Sequence, residues 1–413
     1  MTNQSVGNRW IVVLGGFLGS TMCGMLLYAW SIFIKPLQLE FGWTKAEIAM
    51  AFSICCAVFG LTTVIAGRLQ DKYGPKIVVF VGGIIMAIGF FLSGYTESLG
   101  YLYFMYGILA AIGGGMVYVP PIATAPKWFP DKLGLITGLN VVGLGLGSFI
   151  MAPLATSIIL NPELGWRYVF FYVGIAFFII TFPTAFVLKI PPKGWMPKGW
   201  TPPAAKKAEE AATAYDFTFA EMIKTKVLWV LYIMYAGGAT AGLMVIGHLA
   251  AFGQESGLTP MQAAGAVSCL AFTNAAGRVI IGWMADKIGS VPCLKGIMII
   301  QCAAMVVLIK CGSTMVTLGI ISAVIGFNYG AMFTMFPVQT AKFFGAKHLG
   351  LNYGFVFTAW SVGALLGPAL GGYVFDVTGN YLVPFYFGSA VCAIAFVAGF
   401  FLKAPAHPSV ANA

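Results

Sequence analysis

The sequence predicts an all-α membrane protein with twelve transmembrane helices in two pseudo-symmetric six-helix halves, and three observations support that prediction. Hydrophobic residues make up 59% of the 413 residues and charged residues only 9%, which excludes an ordinary soluble domain. Apolar stretches of roughly 20 residues, long enough to cross a hydrocarbon core ~30 Å thick, recur along the whole chain. Finally, motifs in the first half recur in the second half.

The apolar stretches predict the individual helices. A capping box from Thr44 to Glu47, and Pro260 directly after the capping residue Thr259, favour helices over barrel strands. The first stretch opens at Trp10 and is too long for the apolar core of a cleaved signal peptide, so we expect it to remain in the protein. The twelve predicted spans are, approximately, Trp10 to Ile34, Ala46 to Ala66, Ile77 to Gly94, Tyr101 to Ala125, Gly134 to Ile159, Tyr168 to Leu188, Val227 to Phe252, Pro260 to Met284, Cys293 to Ile309, Thr314 to Thr340, Leu349 to Val374 and Val383 to Leu402.

Basic residues predict the orientation. With both termini in the cytoplasm, the predicted loops on the opposite side hold only Lys35, Lys45, Arg167 and Lys310. This asymmetry follows the positive-inside rule. The net charge of +10 is therefore explained by topology and by attraction to anionic membrane lipid. No cluster combines basic residues with exposed aromatics, so nucleic acid is not an expected partner.

The eight cysteines do not predict a chemical site. They lie within or beside the apolar spans without metal-ligand spacing, as small packing residues do. We therefore expect no metal, no cofactor and no disulfide framework.

A proline-rich and then charged segment divides the chain. Residues 190–226 are predicted to be a cytoplasmic linker between a first half, residues 1–189, and a second half, residues 227–413. The stretch PPIATAPKWFPDKLGLITG before the linker corresponds to FPVQTAKFFGAKHLGLNYG after it. Duplicated halves of this kind are typical of transporters that alternate access across the membrane.

A repeated G-x-x-x-D-[KR]-x-G motif resembles the cytoplasmic signature of the major facilitator superfamily. The stretches WSIFIKPLQLEFGWTKAEIAMAFSI, YDFTFAEMIKTKVLWVLY and LGLNYGFVF further resemble its branch of monocarboxylate transporters and oxalate/formate antiporters. The glycines would allow close helix approach and a tight turn, and the aspartates would sit at a helix start or meet a basic residue of the other half. Alternatively, each motif is no more than a satisfied turn. Its residues are Gly67, Asp71, Lys72 and Gly74, repeated as Gly282, Asp286, Lys287 and Gly289.

Arg278 is a permanent cation inside a predicted apolar span, where a charged residue is not expected. All thirteen acidic residues fall in predicted loops or at helix ends, and Asp286 lies two turns away, about 12 Å along the same helix. The planar guanidinium holds a carboxylate through two parallel hydrogen bonds, so we expect a carboxylate substrate as its partner. The alternative is that Arg278 extends to the inner vestibule, or reaches Asp71 across the halves.

Two polar residues bear on proton coupling. His248 is the only histidine within a predicted span, and its ordinary pKa of ~6.5 allows proton exchange near neutral pH. A neutral histidine bonded across helices is the alternative. Asn274 lies four residues before Arg278, hence on the same helix face. Animal monocarboxylate transporters often have an aspartate there that is implicated in coupling, so His248 is our first choice for the proton here.

A second departure from the resemblance concerns the charge of the substrate. The oxalate exchangers have a lysine where this chain has Trp360, counted from Asn352. One cation in the site favours a monoanion, because a dianion would leave one carboxylate unpaired in a poorly solvated cavity.

Polar side chains in several spans complete the predicted substrate pocket. Their hydroxyl and amide groups can bind a carboxylate or a hydroxyl, although a tyrosine of this kind taken alone is more often interhelical or interfacial. Asn140 and Trp360 are weaker candidates. The pocket residues are Tyr118, Tyr329, Tyr28, Asn328 and Tyr381.

The sequence thus predicts a multi-pass plasma-membrane transporter of a small monocarboxylate such as lactate or pyruvate, moving it with a proton. Carboxylate exchange without a proton is the alternative mechanism, and a channel or a transporter-like sensor is a remote one. An enzyme is not expected, because no paired carboxylates or metal-ligand cluster lie in the spans.

Overall fold

The computed structural model of the protein describes residues 9–28, 30–192, 195–197 and 215–405, and every regular element in these ranges is helical. Twelve spans within them are long and apolar enough to cross a membrane, which confirms the predicted number. The α-helices are α1 (Trp10–Tyr28), α2 (Ser31–Phe41), α3 (Lys45–Tyr73), α4 (Pro75–Leu92), α5 (Leu99–Leu102), α6 (Ala111–Trp128), α7 (Leu133–Ile159), α8 (Trp166–Val187), α9 (Phe219–Met222), α10 (Lys226–Glu255), α11 (Pro260–Ile288), α12 (Ser290–Cys311), α13 (Met315–Phe344), α14 (Leu349–Thr378) and α15 (Leu382–Ala398).

The first span differs most from its prediction. One helix was expected to end near Ile34, but the helical span, described as α1 and α2, continues to Phe41. Polar residues after Ile34 interrupt the apolar run without ending the helix. The helix ends where Gly42 adopts φ +70° and its N–H caps the Gln38 carbonyl, a left-handed conformation that glycine adopts without strain.

Local capping explains where the long helices begin. The Thr44 hydroxyl accepts from the Glu47 N–H at 3.2 Å, while the Glu47 carboxylate accepts from the Thr44 N–H at 2.8 Å. Thr259 and Gln262 form the same reciprocal pair at the start of α11. Both capping signals predicted from the sequence are therefore confirmed, because they depend only on residues three apart.

The two copies of the repeated motif end α3 and α11 in the same way. Gly74 has φ +84° and Gly289 has φ +94°, and the next helix begins immediately after each glycine. Asp286 lies in the last turn of α11 rather than at a helix start. A carboxylate is unfavourable beside the negative end of the helix dipole, and the electrostatic interaction with Lys342 offsets that cost.

The chain divides into two compact units, Met1–Ala204 and Ala205–Ala413. In the first, a Cβ on Gly143 of α7 would lie 2.7 Å from the backbone nitrogen of Thr21 in α1. In the second, a Cβ on Gly367 of α14 would lie 2.5 Å from the carbonyl oxygen of Thr240 in α10. These two glycines therefore let helices within each unit approach at backbone distance.

The end of the predicted linker forms a strap over the turn between α13 and α14. The Phe217 N–H donates to the Phe344 carbonyl at 3.0 Å, and the Asn352 amide donates to the Phe217 carbonyl at 2.9 Å. A hydrogen bond from the Tyr215 hydroxyl lowers the pKa of Glu221, the residue that caps α9. Two stretches that carry the family resemblance, YDFTF and LGLNYG, thus contact each other.

Candidate functional site

Arg278 lies deep within α11 and has no exposed surface. It is ten residues before the end of the helix at Ile288, roughly 15 Å at 1.5 Å per residue. Half the thickness of a hydrocarbon core is also about 15 Å. The guanidinium therefore lies well inside the helical span and does not extend to the exposed surface in this conformation.

Three neighbours orient the Arg278 side chain and backbone. Its Nε donates to Asn274 Oδ1 at 3.1 Å, and its guanidinium carbon lies 4.6 Å from the centre of the Phe333 ring. The Thr334 hydroxyl donates to the Arg278 carbonyl at 2.8 Å. Asparagine and phenylalanine are neutral, so these contacts hold the guanidinium in place without neutralising its charge.

Glycines bring α11 and α13 close enough for those contacts. A Cβ on Gly330 would lie 2.7 Å from the Asn274 carbonyl carbon, and one on Gly326 would lie 2.8 Å from that of Leu270. No larger residue fits at either position without moving a backbone. The close approach places Phe333 and Thr334 of α13 beside Arg278.

An aromatic cluster from α13 and α14 surrounds Phe333. The Trp360 indole donates to the Tyr329 hydroxyl oxygen at 2.9 Å, and both side chains are buried. The Phe333 ring lies edge-on to both, with ring centres 5.5 Å from Tyr329 and 5.9 Å from Trp360. Because the indole can only donate, Tyr329 accepts in this bond and can donate its own proton to another acceptor.

His248 of α10 forms a second polar cluster in the same unit. Its Nε2 lies 3.0 Å from the Pro368 carbonyl oxygen, and its Nδ1 lies 3.3 Å from the Tyr381 hydroxyl. A carbonyl oxygen only accepts, which assigns the hydrogen to Nε2 and lets Nδ1 of the neutral ring accept from Tyr381. A Cβ on Gly371 would lie 2.8 Å from the imidazole, so this glycine makes room for the ring.

The comparison with known families decides what this helical protein is. A sequence model of the Major Facilitator Superfamily matches residues 12–346, with a second match over residues 312–413. The chain belongs to the Major Facilitator Superfamily. This superfamily member is accordingly a multi-pass transporter of the plasma membrane and not an enzyme.

Relatives of this superfamily member include named carboxylate carriers. It is 28% identical over 378 residues to the oxalate:formate antiporter of Oxalobacter formigenes, covering 90% of this chain and 86% of that relative. It is 28% identical over 387 residues to monocarboxylate transporter 13 of Rattus norvegicus, covering 93% of this chain and 86% of that relative. These relatives confirm the resemblance to the monocarboxylate and oxalate/formate branch.

Solved structures of the superfamily share the fold. The transporter FucP in its outward conformation matches with a TM-score of 0.71 at 15% identity, covering 96% of this chain and 99% of that one. Identity this low supports the fold alone, and the predicted twelve-helix major facilitator fold is thereby confirmed.

The structure groups some of the predicted pocket residues of this transporter and separates others. Asn274, Arg278 and Tyr329 line one cluster around Phe333, whereas His248 and Tyr381 form the other. Asn328 is buried on α13, but adjacent helical residues diverge by about 100°, so it does not share the direction of Tyr329. The remaining two predicted residues, Tyr118 and Tyr28, lie in the first unit. Tyr118 is fully buried, and the centre of its ring lies 5.6 Å from that of Phe59. The Tyr28 side chain lies outside the described part of the chain.

Sequence reasoning missed Phe333 and Thr334. A phenylalanine or a threonine inside an apolar span is ordinary, and neither carries a signal of its own. Their position would have followed only from pairing α11 with α13 through Gly326 and Gly330. Two glycines four residues apart on a helix are a signal of close helix packing.

Proposed function

We propose that this transporter carries small monocarboxylates such as lactate and pyruvate, and that a proton moves with them. The observation that carries the proposal is Arg278, a permanent cation that is fully buried within the α11 span and whose Nε donates to the Asn274 amide oxygen. A charge at this depth costs about 2.5–3.5 kcal/mol on insertion scales, so its retention indicates a function. The guanidinium fork suits a carboxylate, which would neutralise it through two hydrogen bonds.

The surroundings of Arg278 favour a monoanion. Trp360 stands where the resemblance to oxalate exchangers predicts lysine, and its polar N–H is already engaged by Tyr329. A second carboxylate at this place would meet an indole instead of a cation, and would be buried unpaired. Further proposed substrate contacts are Asn274, Tyr329, Tyr118, Tyr28, Asn328 and Tyr381.

His248 is the proposed proton carrier. Protonation would turn Nδ1 from acceptor to donor, and the Tyr381 oxygen 3.3 Å away can accept that hydrogen after its own hydroxyl rotates. Both charge states of the ring can therefore be bonded. With the anion on Arg278 and the proton on His248, the added charges cancel, whereas either alone would leave a net charge buried during alternating access.

Carboxylate exchange without a proton is the second candidate. The 28% identity with an oxalate:formate antiporter supports it. An exchanger would be accelerated by carboxylate on the opposite side and would ignore a pH gradient.

The test is initial uptake of labelled L-lactate by purified protein in liposomes, with and without an inwardly directed proton gradient. Arg278→Gln should abolish uptake. Arg278→Lys should retain only a small part of the wild-type uptake, because lysine keeps the charge but lacks the planar guanidinium that makes two parallel hydrogen bonds. Lys310→Gln, which removes an exposed cation at the end of α12, is the matched control and should retain uptake.

Three results separate the proposals. Gradient-driven accumulation that Arg278→Gln removes supports symport. Uptake that ignores the gradient but rises with internal carboxylate supports exchange and removes the role of His248. No uptake of lactate or pyruvate under either condition refutes the substrate class.

A further inference from the structure

Asn140 of α7 is a buried polar side chain that the proposed function does not use. It has no exposed surface, and neither its Nδ2 nor its Oδ1 has a hydrogen-bond partner among the described residues. A side-chain amide carries two donor hydrogens and an acceptor oxygen with two lone pairs. Leaving all of them unsatisfied in the interior is costly, because folding removes the water that would bond them.

The first unit makes specific room for this amide. Gly16 of α1 faces it, and a Cβ on Gly16 would collide with the Asn140 oxygen and lie 2.8 Å from Asn140 Cγ. The same point is 3.0 Å from Pro121 Cβ in α6. The amide therefore lies in a notch where α1, α6 and α7 meet, and the absence of a side chain on Gly16 creates that notch.

The α6 wall of the notch supplies backbone acceptors. Pro120 and Pro121 have no N–H, so the carbonyls of Met116 and Val117, four residues earlier, lose their helical donors. The Val117 carbonyl points along the helix axis toward the Pro121 ring, which borders Asn140. The walls thus combine the amide donors and acceptor of Asn140 with the Val117 carbonyl, which lacks the N–H donor that a residue other than Pro121 would supply.

Two further buried hydroxyl groups lie about one helical turn from the notch. Ser20 lies one turn beyond Gly16 on α1, and Thr124 lies one turn beyond Pro121 on α6. Both side chains are fully buried, and neither hydroxyl oxygen has a partner among the described residues. A neutral amide with neutral hydroxyls one turn away suits a small neutral group that both donates and accepts, and does not suit a charged ion.

We propose that the notch at Gly16, Pro121 and Asn140 is a binding site for a single hydroxyl oxygen. Such a group would accept from the Asn140 amide N–H and donate to the Val117 carbonyl. Two sources share this chemistry, namely a buried water molecule and the hydroxyl of a 2-hydroxy monocarboxylate in transit. The second source rests on the proposed function, whereas the first does not.

The test replaces Asn140 with leucine, which has the same number and branching of side-chain heavy atoms and no polar atom. Without a bound hydroxyl, Asn140→Leu should leave the thermal unfolding midpoint unchanged or raise it, because an unsatisfied amide has been removed. With a bound water, the variant should lower the midpoint by about 2–4 °C, the shift expected when a domain of this size loses one buried hydrogen-bonded group. Asn352→Leu, which removes a buried amide whose Nδ2 donates to the Phe217 carbonyl, is the matched control and should lower the midpoint in either case.

Uptake measurements separate the two sources. L-lactate has the 2-hydroxyl and propionate lacks it, so loss of a substrate contact should lower the lactate-to-propionate uptake ratio at least tenfold in Asn140→Leu. An unchanged ratio with a lowered midpoint assigns the site to water. An unchanged ratio with an unchanged or raised midpoint overturns the site. If the wild type carries neither acid, the proposed function fails while the midpoint still tests the site.

Discussion

Replacing Asn274 with aspartate tests the role of Arg278 through its nearest polar neighbour. The Asn274 oxygen already accepts from Arg278 Nε at 3.1 Å, so Asn274→Asp would place a carboxylate there with almost no change in shape. The buried guanidinium would then hold a permanent internal anion. A substrate carboxylate would have to compete with that anion for the same cation.

The size of the effect follows from this distance. With the charge centres about 4 Å apart and an effective dielectric constant of about 20, the attraction is about 4 kcal/mol. Burial of the new carboxylate offsets part of it. If only a third remains, about 1.4 kcal/mol, the KM for lactate rises about tenfold.

Initial lactate uptake over a range of concentrations measures this change, and the thermal unfolding midpoint measures stability in parallel. We expect a higher KM together with an unchanged or higher midpoint, because the new carboxylate attracts the buried guanidinium beside it. Asn274→Leu is the control, since it removes the acceptor without adding charge. A KM for Asn274→Asp within twofold of wild type would refute the assignment of Arg278 as the carboxylate ligand.

Two further variants test the packing around the two clusters, and a third tests the turn after α3. Tyr329→Phe removes the acceptor of the buried Trp360 N–H, and should cost about 1–3 kcal/mol of stability, read as a lower unfolding midpoint. Gly371→Ala would place a methyl group 2.8 Å from the His248 ring, and should abolish gradient-driven accumulation while counterflow exchange persists. Equal loss of both activities would contradict the role of His248 as proton carrier. Gly74→Ala forces alanine to φ +84°, and should lower the free energy of unfolding by about 1–3 kcal/mol. An unchanged unfolding midpoint would show that the turn adopts another conformation.

Much of the fold could be predicted from local sequence features. The Thr44 and Thr259 caps depend on residues three apart, and each long apolar run reports how its own helix partitions into a membrane. The first span was the exception, because Gly42 and not the end of the apolar run terminates the helix. A hydropathy boundary marks where the chain becomes polar, whereas a helix ends where its backbone is capped.

The candidate site could be predicted only in part. Arg278 and His248 are conspicuous in sequence because each is a rare polar residue within an apolar span. Their roles in substrate and proton binding stay predictions. Phe333 carried no such signal, although it lies directly against the guanidinium.

The sequence by itself determined the membrane class, the duplicated architecture and the presence of one deep cation, because composition, apolar length and repeated motifs are properties of the chain alone. Only the tertiary structure decided which neighbours that cation has. Arg278 and Phe333 are far apart in the chain, and they meet because glycines let α11 and α13 approach at backbone distance. Likewise His248 meets the Pro368 carbonyl only because Gly371 leaves space for its ring. Contacts of this kind depend on the packing of whole helices, which no local pattern in the sequence specifies.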